Sequence, residues 1–418
     1  MLSSDKVDQE GQVLSGEVVD DPSHAHDAVF GKISDDGPNY RNVGWLGTAG
    51  LMMKTQLGLG ILSIPSVFDT LGMIPGLICL CVVAAITTWS DYIVGTFKLR
   101  HREVYGIDDA AAFVAIAAVT GFIFASIRTL GKLSWLAWLG LICVITSVIV
   151  LTVAVGIQDR PAAAPKDTIW VSDYHLFKKP SFTNAISAIC ALIFAYAGTP
   201  AFFSIAAEMR DPRHYTRSLI LCQTVISACY IAIGCVVYYF CGSYVASPAL
   251  GSAGVLIKRV SYGIALPGLI VTTMLTCHLA SKHVFVRVLR GSKHLAANTF
   301  VHWASWIGCT FGITVVAYVI ASGIPIFSGL VSLIGALLAT SLSFQPMGCM
   351  WLYDNWKRGK QDRSATWYIG VLWSFTIIAL GTFLTVAGTY ASVVDIIASY
   401  KVSGGSAAWS CADNSGSS

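Results

Sequence analysis

The residues of this chain able to do chemistry are ionisable side chains stranded in apolar surroundings: Lys54, Asp91, Glu208, His278 and Lys282. A charge inside a hydrocarbon-length segment costs at least ~2.5–3.5 kcal/mol, so it persists where it pairs, lines a polar path or exchanges a proton. At about 1.5 Å per residue, Lys54 lies about 13 Å into its helix and Asp91 about 10 Å before the end of the returning one. Those depths make a Lys54–Asp91 pair geometrically possible; Asp91 facing interfacial water is the alternative. His278 and Lys282 are one helical turn apart, and a histidine titrates near neutral pH, although a structural hydrogen-bonding histidine is the competing reading. Glu208, Arg210, Asp211 and Arg213 form a charged cluster that suits a gate, an anchor or a plain solvated helix end. A membrane enzyme would need a nucleophile–base pair or a metal set such as Glu-x-x-His, and none occurs. There is no Gly-x-x-x-x-Gly-Lys-Ser/Thr loop, so ATP cannot act from within this chain.

Lys54 belongs to the segment WLGTAGLMMKTQLGLGILSIPSVF (45–68), which is apolar yet interrupted by Gly50, Gly58, Gly60 and Pro65. A span broken in this way leaves backbone N–H and C=O groups without helical partners, which hydrocarbon does not tolerate. Such groups survive where they face a cavity and meet something polar, as in the discontinuous helices of secondary transporters. A kinked packing helix with Lys54 snorkelling to the surface is the plainer alternative.

The whole chain agrees with a bilayer location. Of its 418 residues, 55% are hydrophobic and 12% charged, with a mean hydropathy of +0.66, whereas a soluble domain carries about 25% charged residues. Residues 1–44 form an acidic tail with Lys6, Lys32 and Arg41 as its only Lys or Arg residues, too polar to bury a core and expected to be disordered and cytoplasmic. Residues 398–418 form a second polar tail. No basic stripe interleaves with exposed aromatics, which argues against nucleic acid. The 12 cysteines fall mostly in apolar segments without zinc or redox spacing and read as packing residues.

At about 20 residues per crossing, the domain 45–397 divides into ten apolar spans near 45–67, 72–97, 110–127, 134–157, 183–206, 218–245, 263–285, 302–324, 327–352 and 367–397. Hinges are expected at Gly198 with Pro200, at Pro267 and at Pro346. Strict alternation of ten crossings divides Lys and Arg evenly between the two sides, which is abnormal for a multispanning protein. Placing both flanks of 110–127 on one side (Lys98, Arg100 and Arg102 before it, Arg128 and Lys132 after it) restores a strong bias. Residues 110–127 are therefore expected not to cross normally but to lie re-entrant or displaced.

The motifs KTQLGLGILSIPSVF (54–68) and FAYAGTPAFFSIAAEMRDP (194–212), with GFIFASIRTLGKLSWLAWLG (121–140) and VGIQDRPAAAP (155–165), resemble the amino acid/auxin permease family, specifically the fungal neutral amino acid permeases of the methyltryptophan-resistance type. The resemblance runs from Phe30 to near Ile397. It implies an all-α, leucine-transporter-like fold of eleven spans, the first ten being two inverted repeats of five. Against that pattern, a helix and its loop are missing between about Asp108 and Phe113, where the family's third span belongs. In such a fold the first and sixth spans unwind at Gly58–Ile61 and Tyr196–Thr199. The implied substrate-binding residues are Thr55, Gly58, Gly60 and Ile61 with Ala195, Tyr196, Gly198 and Thr199. Helix ends at these breaks suit a zwitterion, N–H groups taking its carboxylate and carbonyls its ammonium. The resemblance further implies neutral amino acids as cargo and no cofactor. It also implies a proton as coupling ion, with Lys54, Asp91 or His278 as participants. The plasma membrane is preferred over the vacuolar one. A nutrient sensor on the same fold, or a transport-deficient variant lacking one core helix, is the alternative.

Overall fold

The computed structural model describes residues 26–27, 31–32, 42–100, 130–165, 170–290, 292, 294–295, 299–323, 327–361 and 364–403. Residues 110–127 and most of both tails lie outside them; within the amino-terminal tail, His26–Asp27 pairs antiparallel with Gly31–Lys32.

Long apolar segments fold as helices because only a helix or a closed barrel satisfies every backbone group in lipid. In chain order they are α1 (Trp45–Gln56), α2 (Ile64–Leu71), α3 (Met73–Arg100), α4 (Leu130–Ile157), α5 (Phe182–Ala195), α6 (Thr199–Ala207), α7 (Tyr215–Cys241), α8 (Val255–Val288), α9 (Phe300–Gly323), α10 (Phe327–Ile334), α11 (Thr340–Ser343), α12 (Gln345–Gln361) and α13 (Ala365–Ser403). Among the described residues, eight helical stretches are long and apolar enough to cross a membrane, and the bent pair α1 with α2 makes a ninth. Among the described residues the protein is a helical multi-pass membrane bundle, with breaks between α1 and α2 and between α5 and α6. The hinge at Gly198 and Pro200 is a true break, and Pro346 stands in the first turn of α12 after an interruption at Phe344. Pro267, by contrast, sits inside a continuous α8. The last helix runs on to Ser403, past the expected span end at residue 397.

Small residues let the central helices approach closely, as membrane bundles require. A Cβ added at Gly268 of α8 would meet the Gly140 carbonyl of α4 at 2.6 Å, and one at Gly60 would meet Ala195 Cα at 2.6 Å. Gly335, in the π-helical turn Gly335–Ala339 that links α10 to α11, lies against the Cys190 carbonyl of α5.

The helix ends sort the charged residues between the two ends of the bundle. At one end of the bundle, the start of α1 meets the end of α6, where Val43 N–H donates to Glu208 O at 3.1 Å and Arg210 N–H to Val43 O at 2.9 Å. The start of α4 comes to the same end, since a Cβ at Gly47 would touch Ser134 at 3.4 Å. There too, Arg100 at the end of α3 pairs with Asp354 near the end of α12 at 3.1 Å. At the opposite end Asp69 of α2 pairs with Lys178 at 2.6 Å, which brings the 158–182 linker there. The end of α3 and the start of α4 therefore lie at one end of the bundle; residues 110–127, expected to be re-entrant or displaced, lie outside the described residues.

Candidate functional site

Where α1 ends, the chain turns through Leu57 and Gly58 into a 3-10 turn (Leu59–Ser63), and α2 restarts with Pro65 in its first turn, bent 41° from α1. Proline fits there because the first helical N–H groups have no intrahelical acceptor anyway. In the same way α5 stops at Ala195, Tyr196–Gly198 form a turn, and α6 restarts with Thr199 followed by Pro200. The two breaks lie back to back, and glycine at position 60 permits their approach.

A helix end buried in a membrane must find partners for its last carbonyls. Here side chains supply them. Lys54 Nζ donates to Leu57 O at 3.0 Å. Gln56 Nε2 reaches across to Tyr196 O at 3.3 Å. Tyr230 Oη of α7 stands 2.9 Å from Gln56 O and 2.8 Å from Ala195 O, so one hydroxyl serves both breaks. Within each turn, Gly58 N–H donates to Gln56 O at 2.9 Å and Gly198 N–H to Tyr196 O at 2.7 Å. The Tyr196 hydroxyl donates to Ser227 Oγ at 3.0 Å, and its ring packs edge-on to Tyr230 with centroids 5.0 Å apart.

The eight residues expected to bind substrate gather at this junction. Gly60 lies on Ala195, and Tyr196 and Gly198 abut Gln56. A Cβ at Gly58 would meet the Thr272 methyl of α8 at 3.0 Å. Ile61 and Thr199 are fully buried, whereas the Thr55 hydroxyl is turned back onto Met52 O at 2.8 Å.

The ionisable groups each find separate surroundings. No ion pair joins Lys54 to Asp91. Lys54 is fully buried and caps its own helix end; Asp91 is equally buried and accepts from Gln223 Nε2 of α7 at 2.7 Å. Neither snorkelling nor interfacial exposure applies. Depth along each helix is fixed by rise per residue, but the direction of a side chain around the axis is set by its neighbours. The charged cluster at the end of α6 also separates. Glu208 is buried against Lys282 of α8 at 2.5 Å; Arg210 donates to Asn42 at 2.9 Å; Asp211 stays at the surface beside His214 at 3.3 Å. His278 is buried edge-on to Trp306, ring centroids 5.4 Å apart. Gln56, Gln223, Ser227 and Tyr230 are the site residues that sequence reasoning missed. Their polarity inside apolar spans was the available signal.

The chain matches the family described as "Transmembrane amino acid transporter protein" over residues 100–394. A "Transmembrane transporter" of Gibberella moniliformis is 30% identical over 429 residues, covering 91% of this chain and 90% of the relative. An "N amino acid transport system protein" of Neurospora crassa is 25% identical, covering 89% of each. Because 91% of 418 residues is about 380, roughly 49 of the 429 aligned positions have no counterpart here. A sodium-coupled sialic acid symporter in a substrate-bound outward-open state is a distant likeness, at 11% identity and TM-score 0.45, covering 87% of this chain and 92% of that one.

Proposed function

Since the chain belongs to the transmembrane amino acid transporter family, we propose that it carries neutral amino acids, aliphatic or aromatic, across the plasma membrane by proton-coupled alternating access around its two helix breaks. The observation that carries this reading is the back-to-back junction of Gly60 and Ala195 with the capped carbonyls around it. Half-helix ends offer N–H groups to a carboxylate and carbonyls to an ammonium, and a zwitterion needs both. The walls around them are apolar and aromatic: Ile61, Phe202, Tyr196 and Tyr230 are all buried. Lys54, the one cationic side chain at the junction among the described residues, would disfavour a second cation.

A chain that binds amino acids without completing transport is the second reading. It is favoured by the roughly 49 aligned positions without counterpart here, enough for one span of about 20 residues.

The test is uptake of labelled leucine and phenylalanine by cells expressing the full chain, with competition by lysine, arginine, aspartate and glutamate. Uptake should resist the charged competitors and fall when the proton gradient is collapsed. Displacement by basic amino acids would remove the neutral-cargo reading; sodium dependence that survives gradient collapse would remove proton coupling. Leucine binding by purified protein that moves none across a vesicle would select the second reading.

A further inference from the structure

Two fully buried carboxylates lie among the described residues, and they are not equivalent. Glu208 has the Lys282 ammonium at 2.5 Å. Among the described residues Asp91 makes no ion pair: its Oδ2 accepts from Gln223 Nε2 at 2.7 Å, and the Thr199 hydroxyl faces its carboxyl group. The titratable groups facing Asp91 from neighbouring helices are Tyr215 and Cys222, both of α7 and neither a cation. The Tyr215 hydroxyl is committed to the Asp91 backbone carbonyl at 2.7 Å.

We propose that Asp91 is the proton-binding group of the transport cycle, and that Thr199 relays its state to the second helix break. The proposal rests on the proton-coupled reading above. An anion buried without a cation is held only by hydrogen bonds, and taking up a proton removes the charge altogether. Asp91 Oδ1, Gln223 Oε1 and Thr199 Oγ1 are all buried without a hydrogen bond of good geometry. This is a site with oxygens in excess of donors. A protonated Asp91 adds one O–H donor to it. When that O–H bond breaks, the proton passes to water on the receiving side, and the remaining carboxylate takes the Thr199 hydroxyl as donor instead. Thr199 is the first residue of α6. Its change from acceptor to donor is therefore felt where the half-helix begins, beside the substrate junction. Glu208 is unsuited to this task, because protonating it discards the pairing with Lys282.

The test uses the purified full chain in lipid nanodiscs. Infrared difference spectra between about pH 5 and about pH 9 should contain a protonated-carboxyl band that disappears in Asp91→Asn and persists in Glu208→Gln. An undiminished band in Asp91→Asn overturns the proposal. In weakly buffered solution, leucine addition should change the free proton concentration for wild type and not for Asp91→Asn. No proton exchange by wild type would defeat the coupled-transport reading itself; exchange retained in Asp91→Asn would defeat only this assignment. Should Asp91→Asn fail to fold, Gln223→Leu decides: the carboxyl band must shift in frequency when its 2.7 Å donor is gone, and an unshifted band overturns the proposal.

Discussion

Replacing Tyr230 by phenylalanine removes one oxygen and keeps the buried ring, so its cost isolates the hydroxyl that joins the two breaks. That hydroxyl has a single hydrogen and two carbonyls within 2.9 Å, Gln56 O and Ala195 O. Gln56 O keeps the Gly58 N–H at 2.9 Å after the substitution, so the loss falls mainly on Ala195 O. A buried acceptor left unmet costs about 1–3 kcal/mol, and no cavity of consequence adds to it. Tyr196→Phe is the internal comparison. Its hydroxyl meets the partly buried Ser227 Oγ at 3.0 Å, an ordinary bond of about 0.5–1.5 kcal/mol. Thermal unfolding of both variants in the same detergent should place Tyr230→Phe below Tyr196→Phe, and both below wild type. Leucine binding should weaken more in Tyr230→Phe, because both half-helix ends lose their common support. A Tyr230→Phe protein as stable as wild type, or more stable than Tyr196→Phe, would refute the reading of Tyr230 as the clasp of the junction.

Lys282→Met should destabilise the protein by about 3–5 kcal/mol, since it strips a buried carboxylate of its ammonium, while the double change with Glu208→Gln should recover much of that loss; chemical unfolding of the three variants checks the ordering. Asp173 lies outside the spans: partial burial raises its pKa, but donation from Ser243 Oγ and N and the nearby Lys178 outweigh this and hold the carboxyl below its ordinary value. A depressed folded-state value means stability that is present above the unfolded pKa of about 4 and lost as pH falls through the folded one, so the deficit of Asp173→Asn seen at neutral pH should vanish in acid. In a cysteine-depleted background, Leu99→Cys and Lys357→Cys should be labelled from the same side of the membrane; labelling from opposite sides would show that residues 101–129 make a net crossing.

Much of the architecture was legible because its signals are local. Gly58, Gly60, Pro65, Gly198 and Pro200 mark the two breaks by what glycine and proline permit, whatever surrounds them. The misplaced charges flanking residues 110–127 forecast that α3 ends and α4 begins on one side, as the Arg100–Asp354 and Gly47–Ser134 contacts place them. The partners of the buried polar groups were illegible for the opposite reason. Gln56 meets Tyr196 across 140 residues of sequence, and Tyr230 meets Gln56 across 174. No pattern in one chain announces which polar side chain another helix will turn inward. Pro267 differs from the glycine–proline breaks: it stands inside α8, which continues through it.

The capping of the breaks alters what substrate binding has to be. Open carbonyls would simply receive an ammonium, but here Leu57 O, Gln56 O, Ala195 O and Tyr196 O are already held by Lys54, Tyr230 and Gln56. On the proposed function, an incoming zwitterion would exchange with protein donors, releasing a side chain for each carbonyl it takes. Exchange ties occupancy to the geometry of both half-helices, because Gln56 and Tyr230 each touch both breaks. Lys54 also gives the proposed preference for neutral cargo a physical basis. Two unit charges about 4 Å apart interact by about 4 kcal/mol at the effective dielectric near a protein surface, so a lysine or arginine side chain entering beside Lys54 meets a repulsion that leucine does not. An acidic side chain meets no such repulsion from Lys54, and must be rejected instead by the cost of burying its carboxylate among apolar walls. The two exclusions differ in kind, and Lys54→Met should relax the first while leaving the second in place.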